Sequence, residues 1–173
     1  MPADPVSHDP VPHDPVPHDP VPHDPVPHDP VDLARRSAEA MLGDDPASRA
    51  AGVRLLDVGP GRAVATMTVT EAMTNGHGIA HGAYVFLLAD TAFAVACNSY
   101  GRRAVAAGCD ITYLSAAEVG DELVAEAGER ARSGRSGVYD VSVRRADGSA
   151  VAELRGRSRT IDGTLVPLGE DET

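Results

Sequence analysis

Hydrophobic and polar positions divide the chain into segments of two periods. From Asp32 to Met41 the apolar residues Leu33, Ala34, Ala38 and Met41 recur at helical spacing. They predict a short amphipathic helix with Asp32 as its cap and an end at Gly43–Pro46. Val53–Val58 and Arg62–Val69 read as two strands about the turn Gly59-Pro60-Gly61; in the second, Ala63, Ala65, Met67 and Val69 alternate with Arg62, Val64, Thr66 and Thr68. Beyond Tyr100 the period is two again. Ala104–Tyr113, Glu122–Ala131, Gly137–Arg145 and Val151–Thr160 are four more candidate strands, with turns at 116–121, at 133–137 and at the Ala146-Asp147-Gly148 hairpin.

Between these sets lies NGHGIAHGAYVFLLADTAFAVACNSY, residues 75–100. It opens with three glycines and two histidines in the seven residues from Gly76, then runs almost wholly apolar. The run predicts a helix over about Gly82 to Ser99, and apolar residues on every face predict burial all round. One helix against a mostly antiparallel sheet is an α+β domain in which the sheet wraps the helix.

Length and charge narrow the class. The chain has 173 residues, enough for one domain with a core, and a net charge of -11. Seven Asp and no base fall in residues 1–32; the other 19 acids and 15 bases give the remainder only -4. Without a basic patch, nucleic acid is not expected as a partner. From His8 an HDPVP unit repeats every five residues, to His28 and Asp32. Its prolines exclude helix and sheet and predict an extended tail over 1–31, whose five His–Asp pairs could hold divalent metal only weakly. The domain is expected over 32–165, with an acidic tail over 166–173. Cys97 and Cys109 lie in apolar segments and are expected as buried free thiols. No secretory signal opens the chain, and His81, Asp90 and Thr91 interrupt its longest apolar run, so neither export nor a membrane span is expected. The expected location is the cytoplasm.

Several familiar sites are excluded by spacing. Position 81 is His, which breaks a dinucleotide-binding G-x-G-x-x-G. His77 and His81 are four apart, but no Glu lies between them and the glycines oppose helix there, so no zinc protease motif is present. There is no G-x-S-x-G elbow. What remains is a glycine-rich turn feeding a helix start, whose amides at Gly82 and Ala83 can stabilise a developing oxyanion, and one acid, Asp90, inside the apolar helix. An unpaired buried carboxylate is costly, so Asp90 either serves as general base or nucleophile, or pairs structurally at a subunit interface. Acyl transfer or hydrolysis is the chemistry these groups suggest.

The stretch from Asn75 resembles the core motif of the PaaI family of hotdog-fold acyl-CoA thioesterases, with its Asn-Gly-His, His-Gly-Gly, Leu-Ala-Asp and Cys-Asn-Ser in order. Residues 134–140, GRSGVYD, and 154–158, LRGRS, also resemble family segments, and the likeness covers about Asp32 to Gly163. It implies a sheet curled around one long helix and hydrolysis of an acyl-CoA thioester, often phenylacetyl-CoA or a hydroxyphenylacetyl-CoA, without a metal or cofactor. Asp90 matches the catalytic carboxylate and Gly82 the glycine whose amide polarises the thioester carbonyl. Asn75 matches a side chain that places the water or the carboxylate, His81 fits a supporting position, and Thr91 is a weaker catalytic candidate. Ala83 stands where the family commonly has a second glycine, at the pocket floor. For the phosphates of CoA the candidates are Arg132, Gly134, Arg135 and Ser136, with Arg102 and Arg103 after the helix.

Gly82 and Asp90 are eight residues apart, or about 12 Å along a helix. They cannot both reach one thioester at ~3 Å, so the site is expected to be shared across a homodimer. The family resemblance implies that such dimers often pair into tetramers. Two other functions stay open at this point: a hotdog hydratase or dehydratase using His81, and a non-catalytic acyl-CoA binding module. Tyr84, Phe86 and Phe93 hint at an aryl acyl group.

Overall fold

The computed structural model describes residues 29–168, so the repeats up to His28 and residues 169–173 lie outside the described part. Helix α1 spans Pro30–Gly43 and takes its cap from Asp29, whose carboxylate accepts the Val31 N–H at 3.0 Å. This corrects the expected cap at Asp32, which instead pairs with Arg35 and Arg36 on the helix surface. An Asp followed by Pro is the better start, because the acid accepts an orphan amide and the ring presets φ at N1. Asp29, Pro30 and Val31 of the last repeat copy thus form the cap and first turn of α1. A second Asp-Pro pair starts α2, Pro46–Ala50, where Asp45 accepts the Ser48 N–H at 3.0 Å. Five residues are too few to show a period, and this helix was not expected.

The strands are β1 Arg54–Gly59, β2 Arg62–Thr68, β3 Arg102–Tyr113, β4 Glu122–Ser133, β5 Ser136–Arg145 and β6 Ala150–Thr164. They form one antiparallel sheet in the order β1-β2-β4-β5-β6-β3. In β2 and just after it Ala63, Ala65, Met67 and Val69 are all buried as the alternation predicts, but Thr66 of the opposite phase is buried too, its hydroxyl donating to Leu123 O at 2.9 Å. At the β1–β2 turn, Gly61 has φ +69° and a Cβ there would stand 2.8 Å from the Tyr100 hydroxyl, so glycine is required twice over.

Helix α3, Gly82–Asn98, carries the chain from β2 to the far edge strand β3 and lies against all six strands. Small residues allow the close approach. Ala63, Ala65, Ala125 and Ala127 face the helix from β2 and β4, and the Phe93 ring lies 2.9 Å from where a Cβ on Gly156 would be. Phe93 is fully buried and also packs on Tyr139 with ring centroids 5.5 Å apart. A six-stranded antiparallel sheet wrapped around one long helix is the α+β hotdog arrangement.

Two burial expectations need correction. The apolar helix is not buried all round: Ala83 is exposed, and Phe86, Leu87, Asp90 and Ala94 are half-buried along one stripe. The sheet covers only the face it reaches, so composition alone overstated burial. Cys97 is buried, but Cys109, on the edge strand, is half-exposed. The stripe is continued by exposed apolar residues of β3 and its end, Val105, Tyr113 and Leu114. Among the described residues no helix is long and apolar enough to cross a membrane.

Candidate active site

The glycine-rich loop is an ordered turn. Asn75 Oδ1 accepts the His77 N–H at 2.9 Å, Gly78 N–H donates to the Asn75 carbonyl at 3.0 Å, and Asn75 N–H donates to the Ile79 carbonyl at 2.9 Å. Gly78 turns the chain with φ +76°. The loop exit is then pinned: Ala80 N–H donates to Ala117 O and His81 N–H to Met73 O, both at 2.8 Å.

His81 caps α3. Its Nδ1 accepts the Ala83 N–H at 3.0 Å, so the neutral ring carries its proton on Nε2. The Ala83 amide is therefore committed to the cap, which corrects its expected share in an oxyanion site. Tyr84 N–H donates to His81 O at 2.9 Å. Of the five amides from Ala80 to Tyr84, only that of Gly82 has no acceptor among the described residues. An unpaired N–H at a helix start is the feature that can receive an oxyanion. Gly82 and Asn75 line one cavity of 350 Å³, with Ile79, Val85, Leu114 and Ala117 supplying apolar walls. Tyr113 closes it: its hydroxyl donates to Gly82 O at 2.9 Å, and a Cβ on Gly82 would meet the ring at 3.0 Å.

Asp90 lies two turns further along α3 and borders neither this cavity nor the basic one below. Burial raises its carboxyl above the usual carboxylate range, opposed by a weak hydrogen bond from the Cys109 thiol at 3.9 Å. The thiols are held protonated: burial and then the Asp90 charge push Cys97 up to about 12 and raise Cys109 as well. A thiolate nucleophile is not what this arrangement favours. Thr91, next to the acid, is buried and turned to the scaffold. Its hydroxyl donates to Leu87 O at 2.8 Å and meets Ser48 Oγ at 2.8 Å, tying α2 to α3.

At the other end of α3, the β4–β5 turn brings Arg132, Gly134, Arg135 and Ser136 to one cavity of 240 Å³. Arg132 stacks over Tyr100 at 3.7 Å, and Arg135 donates to Thr160 O at 2.9 Å and pairs with Asp162. Behind them the hydroxyls of Tyr100 and Tyr139 both donate to Glu129 Oε2, at 2.9 and 3.0 Å. Arg102 lines this cavity too, from the start of β3. Tyr100, Glu129, Tyr113 and Tyr139 were not among the expected site residues. The available signal was scarcity, because three of the four tyrosines in the chain line these two cavities.

The predicted residues thus occupy three places in one chain: Asn75, His81, Gly82 and Ala83 at the helix start, Asp90 two turns on with Thr91 beside it turned to the scaffold, and the basic turn. An uncommitted amide at an apolar pocket, a carboxylate held above its usual range and no reactive thiol are groups that a hydrolase for activated carbonyl compounds on a hotdog fold would use. The thioesterase superfamily model matches residues 77–152. The chain is 44% identical over 132 residues to acyl-coenzyme A thioesterase PaaI of Escherichia coli K12, covering 76% of this chain and 94% of that one. The solved structure of E. coli PaaI, from the phenylacetic acid degradation operon, superimposes with a TM-score of 0.77 at 43% identity, covering 79% of this chain and 99% of that one. A Streptococcus mutans UA159 protein solved with acetyl CoA bound matches with a TM-score of 0.62 at 25% identity, over 65% of this chain and 90% of that one. The chain belongs to the thioesterase superfamily, among its PaaI-type hotdog enzymes, and is a thioester hydrolase.

Proposed function

We propose that the protein hydrolyses an aryl or medium acyl-CoA, of the phenylacetyl-CoA or hydroxyphenylacetyl-CoA type, to the free acid and CoA, in a site built by two copies of the chain in the cytoplasm. The observation that carries this reading is the uncommitted Gly82 amide, about 12 Å along the same helix from the only acid in that helix. Gly82 N–H receives the thioester carbonyl oxygen. Asp90 of the partner subunit takes a proton from water as water attacks the carbonyl carbon, or attacks that carbon itself to give, once the thiolate leaves, an acyl-aspartyl anhydride that water hydrolyses. The C–S bond then breaks and the thiolate of CoA leaves without strong acid assistance. Asn75, its Oδ1 used by the turn, offers its NH₂ group to the water or the carboxylate. The 350 Å³ apolar cavity takes the acyl group, and Arg132, Gly134, Arg135 and Ser136 take the phosphates. The half-exposed α3 stripe and the β3 edge form the dimer contact, and dimers pair further into tetramers.

Aryl preference is supported by the relative's place in phenylacetic acid degradation and by half-buried Tyr84 and Phe86. Phe93 drops out of that argument, since it is fully buried in the core. A hydratase would need His81 as a base, but its Nδ1 already accepts a backbone N–H and its Nε2 holds a proton. Thr91 is assigned to the scaffold.

The test is release of free thiol from a panel of acyl-CoAs by the wild-type protein and by Asp90→Asn. The expected result is cleavage with aryl acyl groups preferred, and a loss of about 10³-fold in kcat for the variant at unchanged oligomeric state. In the wild type, kcat should rise with pH as Asp90 loses its proton, with a midpoint above the ordinary carboxylate value of 3.8. Near-normal turnover by Asp90→Asn refutes the assignment. Single turnover in labelled water, followed by the mass of the Asp90 peptide, separates base from nucleophile.

A further inference from the structure

We infer that Tyr113 is a positioning residue for the Gly82 oxyanion donor, and that its ring is the acyl-pocket wall that sets substrate preference; this rests on the reading of Gly82 as that donor. The first peptide of α3, between Gly82 and Ala83, is gripped at both ends. Its carbonyl accepts the Tyr113 hydroxyl at 2.9 Å, and its N–H donates to His81 Nδ1 at 3.0 Å. The preceding backbone is fixed by His81 N–H on Met73 O. The one peptide left with a free N–H, that between His81 and Gly82, therefore has its direction set by clamps on both sides. A donor works on a transition state only if it is already aimed when charge develops.

Tyr113 is suited to this by its position. It is the last residue of β3, paired with Ala152 of β6, so its backbone belongs to the sheet while its side chain reaches across to the helix start. The ring stands directly on Gly82, where a Cβ would come within 3.0 Å of Cζ and 3.1 Å of the hydroxyl oxygen. Glycine at 82 is thus explained by the ring as well as by access to the amide. Tyr113 is also 50% exposed, so it carries little of the core, and losing its hydroxyl or ring need not unfold the domain. The ring meets Gly82 and also borders the cavity with Val85 and Leu114. A flat wall there favours a flat acyl group, because an aromatic ring packs on another aromatic face in offset or edge geometry.

The experiment compares wild type, Tyr113→Phe and Tyr113→Leu on phenylacetyl-CoA and hexanoyl-CoA, with melting temperatures of all three. Tyr113→Phe keeps the wall and removes the clamp. The expected result is about a tenfold loss in kcat on both substrates, KM within about twofold, and an unchanged melting temperature. Tyr113→Leu should lose kcat to the same degree and also lose at least about threefold of the phenylacetyl over hexanoyl preference. Wild-type kcat in Tyr113→Phe, or a rise in KM with kcat intact, overturns the positioning role. An unchanged substrate ratio in Tyr113→Leu overturns the wall. These failures are separable from failure of the underlying reading, which would show as no thiol release by wild type, or as equal kcat for Gly82→Pro, which lacks the amide hydrogen, and Gly82→Ala, which keeps it.

Discussion

In the proposed site the two ends of α3 do different chemistry by different means. At its start the working group is a backbone amide, held by a capping histidine, a tyrosine hydroxyl and neighbouring backbone bonds, beside a cavity with apolar walls. At its end the working groups are side chains. Arg132 there stacks over Tyr100, whose hydroxyl converges with that of Tyr139 on Glu129. An amide cannot be misprotonated and suits a carbonyl oxygen, whereas flexible guanidinium groups suit phosphates. The 17 residues of α3 span about 25 Å, and Gly82 and Asp90 lie about 12 Å apart along it, too far to meet at one thioester carbonyl. In the proposed dimer, a second copy running antiparallel would put the start of one helix near the acid and the basic end of the other. The asymmetry between the ends is what a shared site needs.

The difference between the two ends is tested most directly through the backbone. Proline is tolerated at the first position of a helix, and His81 already has the extended conformation, φ -65° and ψ 132°, that a following proline requires. Gly82→Pro therefore removes one N–H and should keep α3. Gly82→Ala is the control, since it brings the same Cβ against Tyr113 but keeps the amide. Loss of one oxyanion donor predicts a kcat about 10²-fold lower for Pro than for Ala. Mixing Gly82→Pro with Asp90→Asn, each nearly inactive, should restore activity in mixed dimers, because one of their two sites has both groups. No recovery after verified subunit exchange would show that each chain works alone.

The other end is probed by Arg132→Ala. Its loss should raise KM for an acyl-CoA about tenfold with little change in kcat, since phosphate contacts are made equally before and during reaction. The same variant should match wild type on an acyl N-acetylcysteamine thioester, which has no phosphates. An equal penalty on both substrates would mean that Arg132 serves the fold, through Tyr100, and not the ligand.

These two ends were not equally legible in the sequence. All six strands and both termini of α3 could be read from period and glycine punctuation, because each strand has a solvent face and α3 begins at Gly82. Asp90 and Gly82 stood out because a lone acid in an apolar run and a glycine at a helix start are local signals. The cap at Asp29 was hidden by its membership in a proline repeat. α2 was hidden by its five-residue length. Burial of α3 was overstated because composition does not say how far a sheet reaches. The Tyr113–Gly82 clamp joins residues 31 apart, and the Glu129 pair of tyrosines comes from α3's exit and β5, so only the folded register brings them together. Chemistry carried by one residue type in one place was visible; chemistry made by contact was not.

The smallest expected effect separates cap from catalyst at the helix start. His81→Ala removes the acceptor of the Ala83 N–H, and a lost N-cap costs about 1 kcal/mol of stability. His81→Asn places a strong capping oxygen at the same position and should recover that loss in a melting experiment. If His81 acts only through the cap, turnover follows stability: Asn returns both, because the Gly82–Ala83 peptide is held again. If Asn restores the melting temperature but not kcat, the imidazole has a direct part, its Nε2–H being the group left to contact substrate or water. The second outcome would move the histidine out of the scaffold that aims Gly82 and make the helix start, like its end, a site that works through a side chain.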